Sequence, residues 1–91
     1  MTTNDKTASA DNLNVKFLTY DIGLAAALIS LGYSLFKVDK IAEKKSQFIF
    51  NRDEHIDKKV DEYWDDKLTL PVRSFYDNLK MLKNRLYSVI E

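Results

Sequence analysis

Between Asp21 and Gly32 the chain reads Ile-Gly-Leu-Ala-Ala-Ala-Leu-Ile-Ser-Leu, a helical segment apolar almost all round. A helix of that kind has no face to give to water, so other elements must cover every side of it. The spacing predicts a helix to about Leu31, with Ile22, Ala25, Ala26 and Ile29 in one stripe and Leu24, Ala27, Leu28 and Leu31 in another. Thr19 or Asp21 is the expected N-cap, because a short oxygen-bearing side chain can accept from the free N–H groups of the first turn. Gly32 sits where a left-handed stop belongs. The three alanines allow close approach of a second backbone element. This segment is therefore the expected centre of the fold, but it specifies no function.

The rest of the chain must be the covering, and there is little of it. Ninety-one residues are one domain, and 45% apolar with 12% aromatic content supplies a real core. Fourteen basic and fourteen acidic residues cancel, which argues against a general nucleic-acid coat protein. Without cysteine, disulfides, thiolate catalysis and Cys-bound zinc are excluded, and a cytoplasmic location is expected. Residues 1–14 are mostly small and polar, with neither the basic start nor the apolar run of a signal peptide, and are expected to be a disordered tail. The longest apolar stretch, Ile22 to Tyr33, is about half of what a membrane span needs, so no membrane partner is expected.

Val15 to Thr19 has the apolar, β-branched character of a short strand. Tyr33 to Val38 and Gln47 to Asn51 are two more, with Phe48 and Phe50 on one face and Ile49 on the other. The charged connection Asp39 to Ser46 reads as too long for a two-residue turn, so a hairpin with a mobile tip is expected. Asn51 or Asp53 then caps a second helix, on which Ile56, Val60, Tyr63, Trp64 and Leu68 recur at helical spacing. Pro71 opens a third, whose seam of Val72, Phe75, Leu79, Leu82, Leu86 and Val89 suits packing along another helix. The expected fold is α+β over residues 15–91, in the order β-α-β-β-α-α, with a two- or three-stranded sheet, a buried central helix and two C-terminal helices. The expected core is Leu24, Leu28, Phe48, Phe50, Trp64, Phe75, Leu79, Leu82 and Leu86.

Some of these residues form a wider pattern. Thr19 and Asp21 precede Leu24-Ala-Ala26 and Gly32-Tyr33. Phe48 and Phe50, Tyr63-Trp64 with Leu68, and Leu82-Lys-Asn-Arg-Leu-Tyr87 follow. From Phe17 to Tyr87 the chain resembles a family of small proteins of unknown function from bacterial and phage genomes. The resemblance implies the element order above and an origin in a mobile element; it carries no catalytic or binding residues. Tyr20 departs from it, standing where a small residue is expected.

Candidate chemistry is sparse. The one histidine, His55, is expected in the first turn of the second helix, with no Ser, Cys or second His at a helical offset, so an enzyme is the weakest class. No phosphate loop, dinucleotide fingerprint or His-x-x-x-His pair occurs. No cofactor, metal or small-molecule substrate is expected. Glu54, Asp57, Asp61 and Asp65 form an acidic face on the second helix, usually a solvated one, otherwise a partner-binding one. The Tyr63-Trp64 pair is either a core closure or a binding hot spot, with core preferred. Arg73, Tyr76, Lys80, Lys83 and Tyr87 flank the seam of the last helix, and Lys37, Lys40, Lys44, Lys45 and Arg52 mark the hairpin region. Lysines with interleaved tyrosines can pair with phosphates while rings stack on bases, although such residues more often cover an apolar stripe. Charge is segregated: residues 1–52 hold 7 basic against 5 acidic, 53–67 hold 3 against 7, and 68–91 hold 4 against 2.

The preferred reading is a small non-catalytic protein-interaction module, with an unknown protein or a second copy as partner. A nucleic-acid-binding accessory protein, using the hairpin lysines and the basic flank of the last helix, is the first alternative. A phage-encoded antagonist using the acidic face is the second.

Overall fold

The computed structural model describes residues 16–90, with side chains to residue 87. The tail expected over residues 1–14, Val15 of the first expected strand and the Val89 side chain lie outside the described residues. The elements are β1 (Lys16–Thr19), α1 (Ile22–Ser30), β2 (Leu35–Ala42), β3 (Lys45–Asn51), α2 (Ile56–Trp64) and α3 (Val72–Ile90). This is the expected α+β order, with one antiparallel sheet of three strands arranged β1-β3-β2. No helix among the described residues is long and apolar enough to cross a membrane.

Helix α1 is the centre. Leu24, Ala25, Ala26, Ala27 and Leu28 are each at most 1% exposed, five in a row, which only a helix covered on all sides permits. Of the two candidate caps, Asp21 holds the position: its Oδ1 accepts from Leu24 N at 2.7 Å. Thr19 supports it, with Oγ1 accepting from Asp21 N at 3.1 Å. Asp21 Oδ1 also accepts from the Tyr63 hydroxyl at 3.3 Å, so the cap ties α1 to α2. This explains Gly23, where a methyl group would come within 2.5 Å of the Tyr63 hydroxyl oxygen. Asp21→Ala is expected to cost about 1–2 kcal/mol through the lost cap, read as a lower midpoint in thermal unfolding. At the other end Gly32 has φ +103°, and the N–H groups of Gly32 and Tyr33 donate to Ile29 and Leu28 carbonyls, closing the helix as expected.

The sheet lies against one side of α1. Its register builds two inward rows, Phe17–Phe50–Leu35 and Thr19–Phe48–Val38. Phe48 and Phe50 are fully buried; Ile49 points the other way and is still buried between Leu18 and Lys37. The hairpin corrects the expectation of a long tip: β2 runs to Ala42 and β3 starts at Lys45, leaving a two-residue turn of Glu43 and Lys44. Two β-bulges hid this. Phe36 and Ile41 are the extra residues, each exposed, and each insertion breaks the period-2 pattern by which a strand is read.

Helix α3 lies along another side of α1. Asn78 Nδ2 donates to Ser30 Oγ at 2.9 Å, while Ile22 and Leu86 share a cleft at the opposite end, so the helices are antiparallel. Ile22, Ala26 and Ser30 are four apart, as are Leu82 and Leu86, which sets Ala26 level with Leu82. Both are fully buried. Phe75, Leu79 and Leu86 pack against this core half-buried. Val72 does not: it is 82% exposed, because α3 begins before the point where α1 ends.

Helix α2 closes the third side through Ile56, Val60 and Tyr63. Trp64, expected in the core, is 59% exposed. It follows Tyr63 by about 100° of helix rotation, which carries it off the buried face. Asn51 belongs to β3 and accepts from Lys16 Nζ, so it is no helix cap. His55, expected in the first turn, instead occupies the N-cap position without a side-chain bond, and Asp53 Oδ1 accepts from its N–H. The helix ends with Asp66 at φ +62°, a left-handed stop filled by aspartate instead of glycine. The N–H groups of Asp66 and Lys67 donate to the Tyr63 and Glu62 carbonyls there.

A candidate binding cleft at the hairpin end

Strand β1 leaves the sheet at Tyr20 to reach the cap of α1. Beyond that point β2 and β3 continue as a two-stranded ribbon, and the next inward row is Lys40 with Ser46. The last described turns of α3 pass the start of α1 on the same side. A cleft of about 540 Å³ opens between them, within the ~300–1,000 Å³ typical of ligand sites. Among the described residues, Ile22, Val38, Phe48 and Leu86 supply apolar lining, Lys40, Lys44 and Arg85 cations, Glu43 an acid, and Tyr20 and Tyr87 rings. Tyr87 is 65% and Tyr20 51% exposed. Lys45 stands at the same end, its ammonium 4.2 Å from the centre of the Tyr20 ring. The Tyr20 hydroxyl accepts from Gln47 Nε2 at 3.4 Å. Among the described residues neither Lys40 nor Lys44 has an ion pair.

The ten residues expected to make a basic–aromatic surface do not share one face. Lys40, Lys44 and Tyr87 line the cleft, and Lys45 adjoins it. Lys37 stands on the opposite face of the sheet, paired with Asp39 at 3.4 Å. Arg52 is turned to Asp57 by two hydrogen bonds, of 2.6 and 3.2 Å. Arg73 pairs with Asp77, and Lys80 sits 6.0 Å from the centre of the Tyr76 ring. Lys83 is exposed on α3 and does not line the cleft. Of the cations and rings in the lining, Tyr20 and Arg85 were missed from the sequence. Arg85 carried a signal, since it stands beside the seam residue Leu86, and Tyr20 was marked only as an unexpectedly large residue beside the helix cap.

The expected acidic face is also dispersed. Glu54 precedes α2 and pairs with His55 Nε2 at 3.4 Å, Asp57 is engaged by Arg52, and Asp65 is the C-cap of the helix. Among the described residues no group of three or more His, Cys, Asp or Glu side chains converges to hold a metal ion.

The remaining polar cluster is structural. Tyr33, just after α1, donates to Asp53 Oδ1 at 2.7 Å and so ties that end of α1 to the approach to α2. Burial, and then this bond, push the Tyr33 hydroxyl up to about 12. The same bond chiefly holds the Asp53 carboxyl below its ordinary value. The neutral phenol is favoured in the folded state, so its contribution to stability is full below pH 10 and is lost as pH rises from 10 toward about 12. Asp53 acts in the opposite range: its contribution is present above the ordinary carboxylate range and is lost as pH falls through it. Thermal unfolding across the alkaline range is expected to show a falling midpoint in the wild-type chain and a flatter one in Tyr33→Phe.

Comparison with known proteins bears on the whole described fold. The family model described as "Domain of unknown function (DUF5659)" matches residues 14–88, which takes in every strand and helix up to the last turn of α3. No curated protein and no solved structure matches the chain significantly. The chain therefore belongs to the DUF5659 family, a domain of unknown function.

Proposed function

We propose that this chain is a non-catalytic binding module whose working surface is the hairpin-end cleft, and that it takes single-stranded nucleic acid. The observation that carries this reading is convergence. Lys40 and Lys44 come from the hairpin, Arg85 and Tyr87 from the far end of the chain and Tyr20 from between β1 and α1, and they surround one apolar-lined cleft. Cations at the rim suit phosphates; exposed rings and an apolar lining suit bases that are unstacked and turned outward. A duplex keeps its bases stacked inside, so it would reach only the rim. Among the described lining residues the acid Glu43 stands against two lysines without an ion pair, Lys40 and Lys44. Non-catalytic action is supported by the exposed position of His55 beside Glu54, away from the cleft.

The test is fluorescence anisotropy with labelled single-stranded oligonucleotides. Two phosphate contacts, from Lys40 and Lys44, imply that affinity falls about 7-fold between roughly 50 and 200 mM salt. Duplex of the same sequence should bind more weakly than either strand. Salt-independent binding, or none at low salt, would overturn the assignment.

A further inference from the structure

We infer that the corner between α2 and α3 is a second docking surface, and that its occupant is a basic, apolar-faced segment of a partner protein. Tyr63, Asp66, Leu68, Leu70, Val72 and Phe75 line an open cleft of about 470 Å³ there. Trp64 stands beside it, its ring meeting Tyr63 edge-on with centroids 4.9 Å apart. The core makes little use of this surface: Trp64 is mostly exposed and Val72 almost fully so, and Tyr76, one turn further along α3, is exposed as well. A large aromatic beside an apolar hollow is the anchor that protein interfaces use most, and a cluster of exposed apolar side chains marks an interaction site more often than chance exposure does.

The surrounding charge selects the occupant. Asp61, Asp65 and Asp66 have no ion pair among the described residues, and Asp66 lines the cleft itself. Lys59 is engaged by Glu62 at 3.6 Å, which leaves Lys58 and Lys67 as nearby cations without an ion pair among the described residues, two against the three carboxylates. The C-terminus of α2 carries the negative end of its helix dipole at this point, and no basic residue occupies the last turn. Two further carboxylates at such an end work against the stability of the helix. A cationic partner relieves that repulsion while its apolar face covers Trp64 and Val72. The surface is separate from the hairpin-end cleft: Val72 and Leu86 are 14 residues apart on α3, about 21 Å along its axis. It therefore does not depend on the nucleic-acid reading.

Trp64 is the chain's one tryptophan, so its emission reports on this corner directly. The full chain would be titrated with a synthetic amphipathic peptide of leucine and lysine that lacks tryptophan, and with the same pattern built from leucine and glutamate. The expected result is a saturable blue shift with the lysine peptide, weakened by salt, and none with the glutamate peptide. The combined variant Asp61→Asn, Asp65→Asn and Asp66→Asn should weaken the lysine peptide at least tenfold, and asparagine keeps the left-handed backbone at residue 66 accessible. Charge reversal at Lys40 and Lys44 should leave the titration unchanged. Absence of a shift, equal shifts with both peptides, or unchanged affinity in the triple variant would overturn the proposal. So would a blue shift on concentrating the protein alone, which would make a second copy the occupant.

Discussion

Leu82→Ala is expected to destabilise the chain by about 2–5 kcal/mol, the range for emptying a buried leucine site. Leu82 is fully buried, level with Ala26 of the central helix and within one cluster with Leu24, Leu28, Phe48, Phe50 and Ile56. A domain of this size is stable by roughly 5–13 kcal/mol in total, so this one truncation removes a large share. Val72→Ala, in the same apolar seam by sequence, is expected to change stability by less than about 0.5 kcal/mol, because Val72 is mostly in solvent. Urea unfolding of the two variants side by side separates them. Equal losses would mean that α3 is not laid along α1 as described.

Reversing charge at Lys40 and Lys44 together, both to glutamate, is the second large effect. Affinity for a single-stranded oligonucleotide should fall at least tenfold at low salt, since two attractive contacts become repulsive. The midpoint of thermal unfolding should stay close to wild type, because neither lysine is buried or has an ion pair among the described residues. The same reversal at Lys80 and Lys83 should have a much smaller effect on binding. Both are exposed on α3, but neither lines the cleft. If the Lys80 and Lys83 pair mattered more, binding would run along the flank of α3 instead.

Much of the architecture was legible in the sequence because local signals and burial agreed. The apolar helix and its glycine stop are local features found where expected, and of the two candidate caps Asp21 holds the position. The strands around Phe48 and Phe50 were legible in type but not in length. Bulges at Phe36 and Ile41 shift the alternation by one residue, so a charged, aperiodic stretch that is strand in fact reads as a loop. Trp64 was placed in the core, and Val72 in the apolar seam of the last helix, because each fits a helical spacing. Periodicity locates a stripe, but it cannot say where the neighbouring helix ends, and α1 ends before Val72 can use it. The stop at Asp66 carried no glycine to announce it.

The candidate site was less legible for a related reason. A helical wheel groups Arg73, Tyr76, Lys80, Lys83 and Tyr87, but a cleft takes its residues from wherever the chain happens to meet. Lys40, Arg85 and Tyr20 belong to three separate segments. They come together because β1 leaves the sheet early and α3 runs antiparallel to α1, and neither fact is written in any one stretch.

The most direct test of the binding assignment is a map of where the ligand sits. Isotope-labelled protein titrated with a short single-stranded oligonucleotide should show backbone amide shifts concentrated at residues 40–46 and 85–87 and around Tyr20, with residues 58–66 of α2 unaffected. Shifts centred on α2 or on the N-terminal half of α3, or no shifts at low salt, would contradict the hairpin-end cleft as the binding surface.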